Sequence, residues 1–228
     1  MNYALLLLAG SSKRFNNKTP KQFYLYHKKP LYLYPLIALV RSTKIDDIIL
    51  ITNESRVLEV YGFIKKHRLG KVKAVIAGGK TRNESVRLGL KKLNEFAHDD
   101  DLVLIHDAAR VLLNDEDIAY AIKETKIKGA TSFALRSFDT LIRSFPNYQV
   151  KEYIDRMDVF RLQTPQTFKY HLIKEAYMRQ NGPKFDDTEL VYQIKKPVHL
   201  LKGSERLFKI TNTDDLIRLE AYKQWLIK

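Results

Sequence analysis

The sequence predicts an α/β fold built on a mixed, mainly parallel sheet with flanking helices. Short runs rich in Val, Ile and Leu recur along the chain, and amphipathic segments separate them, which is the pattern of a parallel sheet covered by helices. With 45% hydrophobic and 29% charged residues, the chain has the composition of a folded globular protein. Its 228 residues show no linker and no internal repeat, so we expect one domain over residues 1–228.

The elements are predicted in order from the period of the apolar residues. The predicted strands are residues 3–8, 47–52, 73–76, 102–106 and 130–135. The predicted helices between them are residues 31–42, 57–67 and 83–93.

Two more helices are predicted from their termini. Asn114 is a candidate N-cap ahead of three acidic residues, 115–117, and Gly129 is expected to end that helix. Residues 213–215 begin a C-terminal helix that is expected to reach Trp225. Residues 136–168 carry β-like fragments without helical periodicity, so we expect them to leave the main sheet as a protruding arm.

Composition excludes several classes of protein. The chain contains no cysteine, which excludes a disulfide scaffold, thiolate zinc sites and a catalytic cysteine. No apolar run is long enough to cross a bilayer, and residues 3–9 are too short and lack the basic flank of a signal peptide. We therefore expect a cytoplasmic protein without a membrane partner.

The formal charge of +14 raises the question of a nucleic-acid partner. The lysines are scattered along the chain, the densest cluster is only residues 65–68, and no basic segment is interleaved with aromatic residues. We therefore favour a basic, solvated surface over nucleic-acid binding. Such a charge would also attract small polyanionic substrates.

The loop after the first strand carries Gly10, Arg14 and Lys21. Nucleotides commonly bind at this position of an open α/β sheet. The loop has neither a Walker A nor a G-x-G-x-x-G pattern, because Gly10 is its only glycine. Its small residues allow backbone N–H groups to approach phosphate oxygens, and the two cations supply positive charge. Taken alone, the segment is equally well explained as a solvated loop with two surface cations.

Several later segments follow this loop in a fixed order. They are residues 78–90, 106–110, 139–140, 156, 163–166, 186–187, 203–205 and 209–211. Together with the first loop, they resemble the cytidylyltransferases that use 2-C-methyl-D-erythritol 4-phosphate, over nearly the whole chain. Each segment alone is weakly specific, whereas the full set in this order is a specific signal. The resemblance implies a Rossmann-like nucleotidyltransferase fold of the glycosyltransferase-A type.

The resemblance implies that a substrate phosphate attacks the α-phosphorus of CTP and that pyrophosphate leaves. Since both reactants are anions, the enzyme's task is mostly positioning and charge neutralisation. By resemblance, Arg14 and Lys21 bind the triphosphate, and Lys209 reaches the α-phosphate. Asp107, a lone carboxylate after an apolar strand, is the candidate ligand for Mg²⁺ and for substrate, with the cap of a following turn as the alternative. We expect the neighbouring His106 to be structural.

The resemblance also implies the residues that contact the nucleotide and the acceptor. Cytidine would be recognised through Gly79, Lys80, Ser85 and Ala108, although Ser85 has the alternative role of capping or packing its own helix. The other nucleotide-binding residues would be Ala9, Gly10, Ser12 and Thr164.

The acceptor, a small sugar- or polyol-phosphate, would be held by Thr140 and Arg156 in the arm. An ordinary surface hydroxyl and a solvated arginine explain these two residues equally well. In the family the arm pairs with a second subunit, so the resemblance implies a homodimer in which both residues complete the neighbouring site.

Three positions depart from the family pattern. Ser12 stands where a glycine is usual, which requires either a negative φ or a strained backbone. Val111 replaces a proline and Phe185 replaces a threonine, which leaves the acceptor less defined than CTP. The alternatives are a ribitol-5-phosphate cytidylyltransferase and a non-catalytic nucleotide-binding protein with the same fold. Ala109 and residues 203–206 favour the methylerythritol branch, and the intact charged residues argue against loss of activity.

Overall fold

The computed structural model of the chain describes residues 1–10, 12–15, 19–182 and 186–225. The strands in this part are β1 Asn2–Leu7, β2 Leu25–Tyr26, β3 Lys29–Pro30, β4 Asp47–Thr52, β5 Val72–Ala77, β6 Leu102–Asp107, β7 Ala130–Arg136, β8 Leu141–Ser144, β9 Val150–Ile154, β10 Phe160–Lys169 and β11 His199–Lys202. The helices are α1 Leu33–Arg41, α2 Val57–Lys66, α3 Arg82–Leu93, α4 Asp115–Lys128, α5 Tyr170–Met178, α6 Asp187–Gln193 and α7 Asp214–Ala221.

Seven strands form the main sheet, in the order β11-β7-β10-β6-β1-β4-β5. β10 is antiparallel to both of its neighbours, and the other neighbouring pairs are parallel. This confirms the predicted mixed, mainly parallel sheet with flanking helices. No helix in the described part of the chain is both long and apolar enough to span a bilayer.

Apolar side chains cover both faces of the sheet, because successive residues of a strand point to opposite sides. On one face, Ala4 and Leu6 of β1 pack in a cluster with residues of α1, α2 and α4. On the other face, Tyr3 and Leu5 pack with residues of α3, α5 and α6. The runs of Val, Ile and Leu in the sequence are therefore strands that are buried on both sides.

The predicted elements occur close to their predicted bounds. Asn114 caps α4 through a capping box, since its side chain accepts the backbone N–H of Asp117 and the Asp117 carboxylate accepts that of Asn114. Gly129 follows α4 with a φ of +80°. The C-terminal helix α7 ends at Ala221, and a 3-10 turn, Lys223–Trp225, follows it.

The observed arm is shorter than the predicted one, which covered residues 136–168. β8 and β9 form a separate two-stranded sheet, whereas β10 pairs with β6 and β7 inside the main sheet. The sequence of β10 does not indicate a strand of the main sheet, because its polar residues Gln163, Thr164 and Gln166 are all buried. Buried polar residues remove the apolar alternation from which a strand is predicted.

Candidate active site

A cleft of about 630 Å³ lies where the parallel strands β1, β4, β5 and β6 end. Crevices at the carboxyl ends of such strands are the usual ligand sites of open α/β sheets. Ten residues predicted for the site line this cleft: Ala9, Gly10, Ser12, Arg14, Lys21, Gly79, Lys80, Ser85, Asp107 and Lys209. Segments far apart in the sequence therefore meet around one cavity, as the order of the motifs implied.

The first loop is held in shape by side-chain hydrogen bonds. Ser12 has a φ of +54°, so this residue adopts the left-handed backbone that favours glycine. Its hydroxyl accepts the backbone N–H of Lys21 at 3.1 Å and lies 2.9 Å from the side-chain oxygen of Gln22. The Gln22 amide donates to the carbonyls of Leu8 and Gly10. The serine thus ties the loop to the segment that carries Lys21, which a glycine cannot do.

Lys21 places a largely buried positive charge beside the cleft, with an exposed fraction of 8%. Burial lowers the pKa of its ammonium to about 8; the charges of Lys209 and Arg14 act in the same direction, and Asp107 opposes them. Among the described residues, no carboxylate lies within ion-pair distance of this ammonium. A cation in such surroundings is stabilised by an anionic ligand, and a triphosphate meets that need.

Asp107 ends β6 and is held by cations on both carboxylate oxygens. Its Oδ1 lies 3.1 Å from Nε of Arg82, and its Oδ2 lies 2.7 Å from Nζ of Lys209. Burial by itself would raise the pKa of Asp107, but the charges of Lys209, Arg82 and Arg110 outweigh burial and hold it well below its usual range. The carboxylate is therefore ionised throughout the neutral pH range.

His106 and Thr164 support this strand end from behind. The Thr164 hydroxyl accepts the backbone N–H of Asp107 at 3.2 Å and lies 3.1 Å from Nδ1 of His106. Nε2 of His106 lies 3.0 Å from the carbonyl oxygen of Arg110, and burial lowers the pKa of the ring to about 4. At neutral pH the imidazole is therefore uncharged, and both of its nitrogens are engaged in structural contacts.

Two residues predicted to bind the nucleotide lie outside the cleft lining. Thr164 is buried behind Asp107, and Ala108 is fully buried in the core. The backbone N–H of Ala108 donates to the carbonyl of Leu7, so the chain still follows β1 at this point and Ala108 packs against apolar residues. The next residue, Ala109, lines the cleft instead.

The loop between β5 and α3 forms the opposite wall. Ser85 accepts the backbone N–H of Gly79 at 3.1 Å and donates to the carbonyl of Thr81 at 3.0 Å. A Cβ atom on Gly78 would lie 2.5 Å from Cβ of Ala9 and 2.7 Å from Oγ of Ser85. Glycine at position 78 therefore allows the two loops to approach closely enough to form one cavity. Ser85 thus orders its own loop and also lines the cleft, while its contact with cytidine stays a prediction.

Thr140 and Arg156 are not part of this cleft. Both are exposed, and the Arg156 guanidinium donates to the carbonyl oxygen of Phe138 at 2.6 Å. In the same segment of the chain, the aromatic side chains of Phe138, Tyr148 and Tyr153 are 76%, 92% and 75% exposed.

The two remaining departures from the family pattern lie in different surroundings. Val111 is buried in a third apolar cluster with Phe15, Leu31 and Phe208. The predicted departure at Phe185 lies outside the described residues.

Several residues of the cleft were not assigned from the sequence: Leu7, Gln22, Asn53, Thr81, Arg82, Ala109 and Thr211. Arg82 carried a usable signal, because an arginine at the first position of a helix faces the positive end of the helix dipole. Such a residue needs an acidic partner, which here is Asp107.

Comparison with known proteins identifies the family of this chain. Residues 3–224 match the family model described as 2-C-methyl-D-erythritol 4-phosphate cytidylyltransferase. A protein of that name from Thermotoga neapolitana is 37% identical over 227 residues, which cover 99% of this chain and 98% of the relative. One from Syntrophus aciditrophicus is 32% identical over 223 residues, which cover 96% of this chain and 94% of the relative.

Solved structures show the same fold. The 4-diphosphocytidyl-2C-methyl-D-erythritol synthase of Anaerococcus prevotii superposes with a TM-score of 0.81 at 25% identity, covering 98% of both chains. The 2-C-methyl-D-erythritol 4-phosphate cytidylyltransferase of Thermus thermophilus gives a TM-score of 0.75 at 26% identity, covering 96% of this chain and 98% of that one. The predicted nucleotidyltransferase fold is thereby confirmed, and the chain belongs to the 2-C-methyl-D-erythritol 4-phosphate cytidylyltransferase family.

Proposed function

We propose that this protein transfers the cytidylyl group of CTP to 2-C-methyl-D-erythritol 4-phosphate and releases pyrophosphate, a step in isoprenoid precursor synthesis. The observation that carries the proposal is the set of cations around the cleft. Arg14, Lys21 and Lys209 all line it, and the charges of Lys209 and Arg14 add to burial in lowering the pKa of Lys21. The membership of the family and the order of the matched segments support the choice of both substrates.

The reaction joins two anions, so it needs neutralised charge and a fixed approach. A phosphate oxygen of the acceptor forms a bond to the α-phosphorus of CTP, and the bond from that phosphorus to the bridging oxygen of pyrophosphate breaks. Arg14 and Lys21 neutralise the charge that develops on the leaving pyrophosphate, while Lys209 neutralises charge at the α-phosphate. Attack by an ionised phosphate requires no general base, which agrees with a buried His106 whose two ring nitrogens are both in structural contacts.

The donors at the cleft fit a Mg²⁺ ion that is completed by the substrate. Among the described residues there is no cluster of three or more acidic or histidine side chains. Asp107 nevertheless offers an ionised carboxylate on the cleft wall, and Mg²⁺ commonly takes one or two carboxylates together with substrate phosphates and water. Asp107 would hold the ion, which when bound adds positive charge at the phosphates.

We also propose that the arm pairs with a second copy of the chain. Thr140 and Arg156 lie outside the cleft of their own chain, and the arm exposes large aromatic side chains beside them. Large exposed apolar patches are typical of protein interfaces, which motivates the proposed pairing. In the dimer, Thr140 and Arg156 of one subunit would bind the acceptor phosphate at the partner's cleft.

A substrate panel tests the proposed function. The protein is incubated with CTP, Mg²⁺ and either 2-C-methyl-D-erythritol 4-phosphate or ribitol 5-phosphate, and pyrophosphate and the cytidylylated product are measured. ATP and GTP serve as nucleotide controls, and Lys209→Ala serves as a variant with one cation removed. We expect product with CTP and the methylerythritol phosphate, and a strong loss in Lys209→Ala. Faster turnover of ribitol 5-phosphate would reassign the acceptor, and no product with either acceptor would refute the proposal.

A further inference from the structure

At the wall of the cleft, Arg82 lies between two buried aspartates. Its Nε is 3.1 Å from Oδ1 of Asp107, and its Nη1 is 2.7 Å from Oδ2 of Asp187. Asp187 is fully buried, and the Tyr177 hydroxyl donates to its Oδ1 at 2.5 Å. The four side chains form a chain of contacts from α5 and α6, through the start of α3, to the end of β6.

Stability does not explain this arrangement. Two charges lose hydration when Arg82 pairs with the buried Asp187. Proteins in which apolar residues of similar volume replace such a buried pair are often equally or more stable. Arg82 also lies at the N-terminus of α3, where the helix dipole disfavours a cation. Asp187 and Tyr177 do not line the cleft, so neither contacts the substrates directly.

The two oxygens of Asp107 are held by two cations that differ in exposure and in their other partners. The Lys209 side chain is 36% exposed and lines the cleft, which places its ammonium within reach of a phosphate bound there. The Arg82 side chain is 25% exposed, and a second carboxylate fixes its guanidinium. When Lys209 contacts the α-phosphate in the proposed reaction, Arg82 remains as the group that holds the Asp107 carboxylate.

We propose that Arg82 is a positioning residue, which Asp187 and Tyr177 fix in place and which keeps the Asp107 carboxylate in its reactive orientation. This inference rests on the proposed cytidylyl transfer. A rigid, planar guanidinium with several donors suits this role, since it can contact two carboxylates at once at fixed angles. A lysine at position 82 would keep the charge but lose this geometry.

The competing explanation is a structural ion pair that joins α3 to α6. The two explanations predict different values of kcat for the double variant Arg82→Met with Asp187→Leu, which removes both charges. Arg82→Met leaves the buried Asp187 without its cation, and Asp187→Leu removes one of the two carboxylates that Arg82 contacts, so each single substitution should lower the free energy of unfolding. The double substitution leaves no unpaired charge, so we expect its unfolding free energy to lie closer to that of the parent than either single variant does.

Activity should not recover in the same way. In the double variant we expect kcat to stay at least tenfold below that of the parent, with the KM for CTP within about threefold of the parental value. Loss of a residue that orients a metal-binding side chain typically lowers activity 10- to 100-fold. Lys92→Met removes a cation from the same helix, where it pairs with Glu95 away from the cleft and from Tyr177, and is expected to keep parental kcat. A structural ion pair alone predicts that the double variant regains kcat together with stability.

Arg82→Lys provides the second measurement, which is decisive if the double variant does not fold. We expect a folded protein with a reduced kcat and a nearly unchanged KM for CTP. Parental kcat in either Arg82→Lys or the stable double variant would overturn the positioning role while leaving the proposed function intact. A parent protein that makes no product would instead refute the proposed function, and this inference with it.

Discussion

The hydroxyl of Ser12 accepts the backbone N–H of Lys21 at 3.1 Å, while Ser12 itself adopts a left-handed φ of +54°. The hydrogen bond, worth about 1 kcal/mol, offsets a backbone strain of similar size. The side chain therefore contributes to the position of Lys21 at a site where the family usually has glycine.

We predict that Ser12→Ala is more harmful than Ser12→Gly. Alanine keeps the strain and loses the hydrogen bond, so the free energy of unfolding should fall by about 1 kcal/mol and the KM for CTP should rise. Glycine relieves the strain and should restore most of the stability, but not the affinity for CTP. Denaturant unfolding and steady-state kinetics measure both effects. An unchanged KM in both variants would show that the hydroxyl does not position Lys21 for the nucleotide.

We predict that CTP binding weakens in alkaline solution because of Lys21. Its pKa of about 8 in the free protein lies below the usual lysine value, so the ammonium is charged at pH 7 and largely neutral at pH 9. A neutral amine no longer attracts a triphosphate, so kcat/KM for CTP should decline above about pH 8, since this ratio reports the free enzyme. In Lys21→Arg the side chain stays charged, and this decline should be absent. The same alkaline decline in both proteins would assign it to another group.

Asp107→Asn tests the carboxylate at the end of β6. Asparagine keeps the shape but removes the charge, so we expect kcat to fall about 100-fold or more if Asp107 holds a metal ion. EDTA should abolish turnover in the parent, and added Mg²⁺ should restore it. Circular dichroism serves as the control for folding. Full activity in EDTA would contradict the proposed metal.

Arg156 and Arg14 should act on different substrates. Arg156→Lys loses the paired hydrogen bonds of a guanidinium to phosphate, so the KM for the acceptor should rise while that for CTP stays nearly constant. Arg14→Ala should instead reduce the rate through the triphosphate, by roughly 3 kcal/mol of transition-state stabilisation.

A mixing experiment then tests the shared site. If the arm reaches the partner's cleft, Arg156→Ala and Arg14→Ala subunits should form a hybrid dimer with one intact site and regain some activity. Subunit exchange is measured separately with labelled protein. Exchange without regained activity would show that each site is built within one chain.

The sequence predicted the local elements and the loops of the cleft, because both depend on short patterns. The strands buried on both faces, the capping box at Asn114 and the first loop are examples. Of the two possibilities considered for Ser12, a negative φ or a strained backbone, the structure shows the second, since its φ is positive. The extent of the domain, the metal and the dimer stay predictions.

Relationships between distant segments were not predictable in the same way. Arg82 and Asp187 are more than 100 positions apart, and only the fold brings their side chains together. β10 was assigned to the arm because its buried polar residues resemble an exposed segment. Ala108 and Ala109 are the same type of residue, so the sequence does not distinguish them. The path of the chain after β6 decides which one faces the cleft.

The position of β10 affects how the protein forms during synthesis. Its neighbours in the sheet, β6 and β7, are both made earlier, so β6 remains an edge strand with unpaired backbone groups until about residue 169 has left the ribosome. The same strand brings the Thr164 hydroxyl that accepts the N–H of Asp107. A nascent or truncated chain that stops before β10 therefore exposes a strand edge that favours aggregation. It also lacks the Thr164 hydroxyl that holds the backbone of Asp107. Pairing of β6 with its second neighbour and the arrival of the Thr164 hydroxyl beside Asp107 are one event in translation, because both depend on β10.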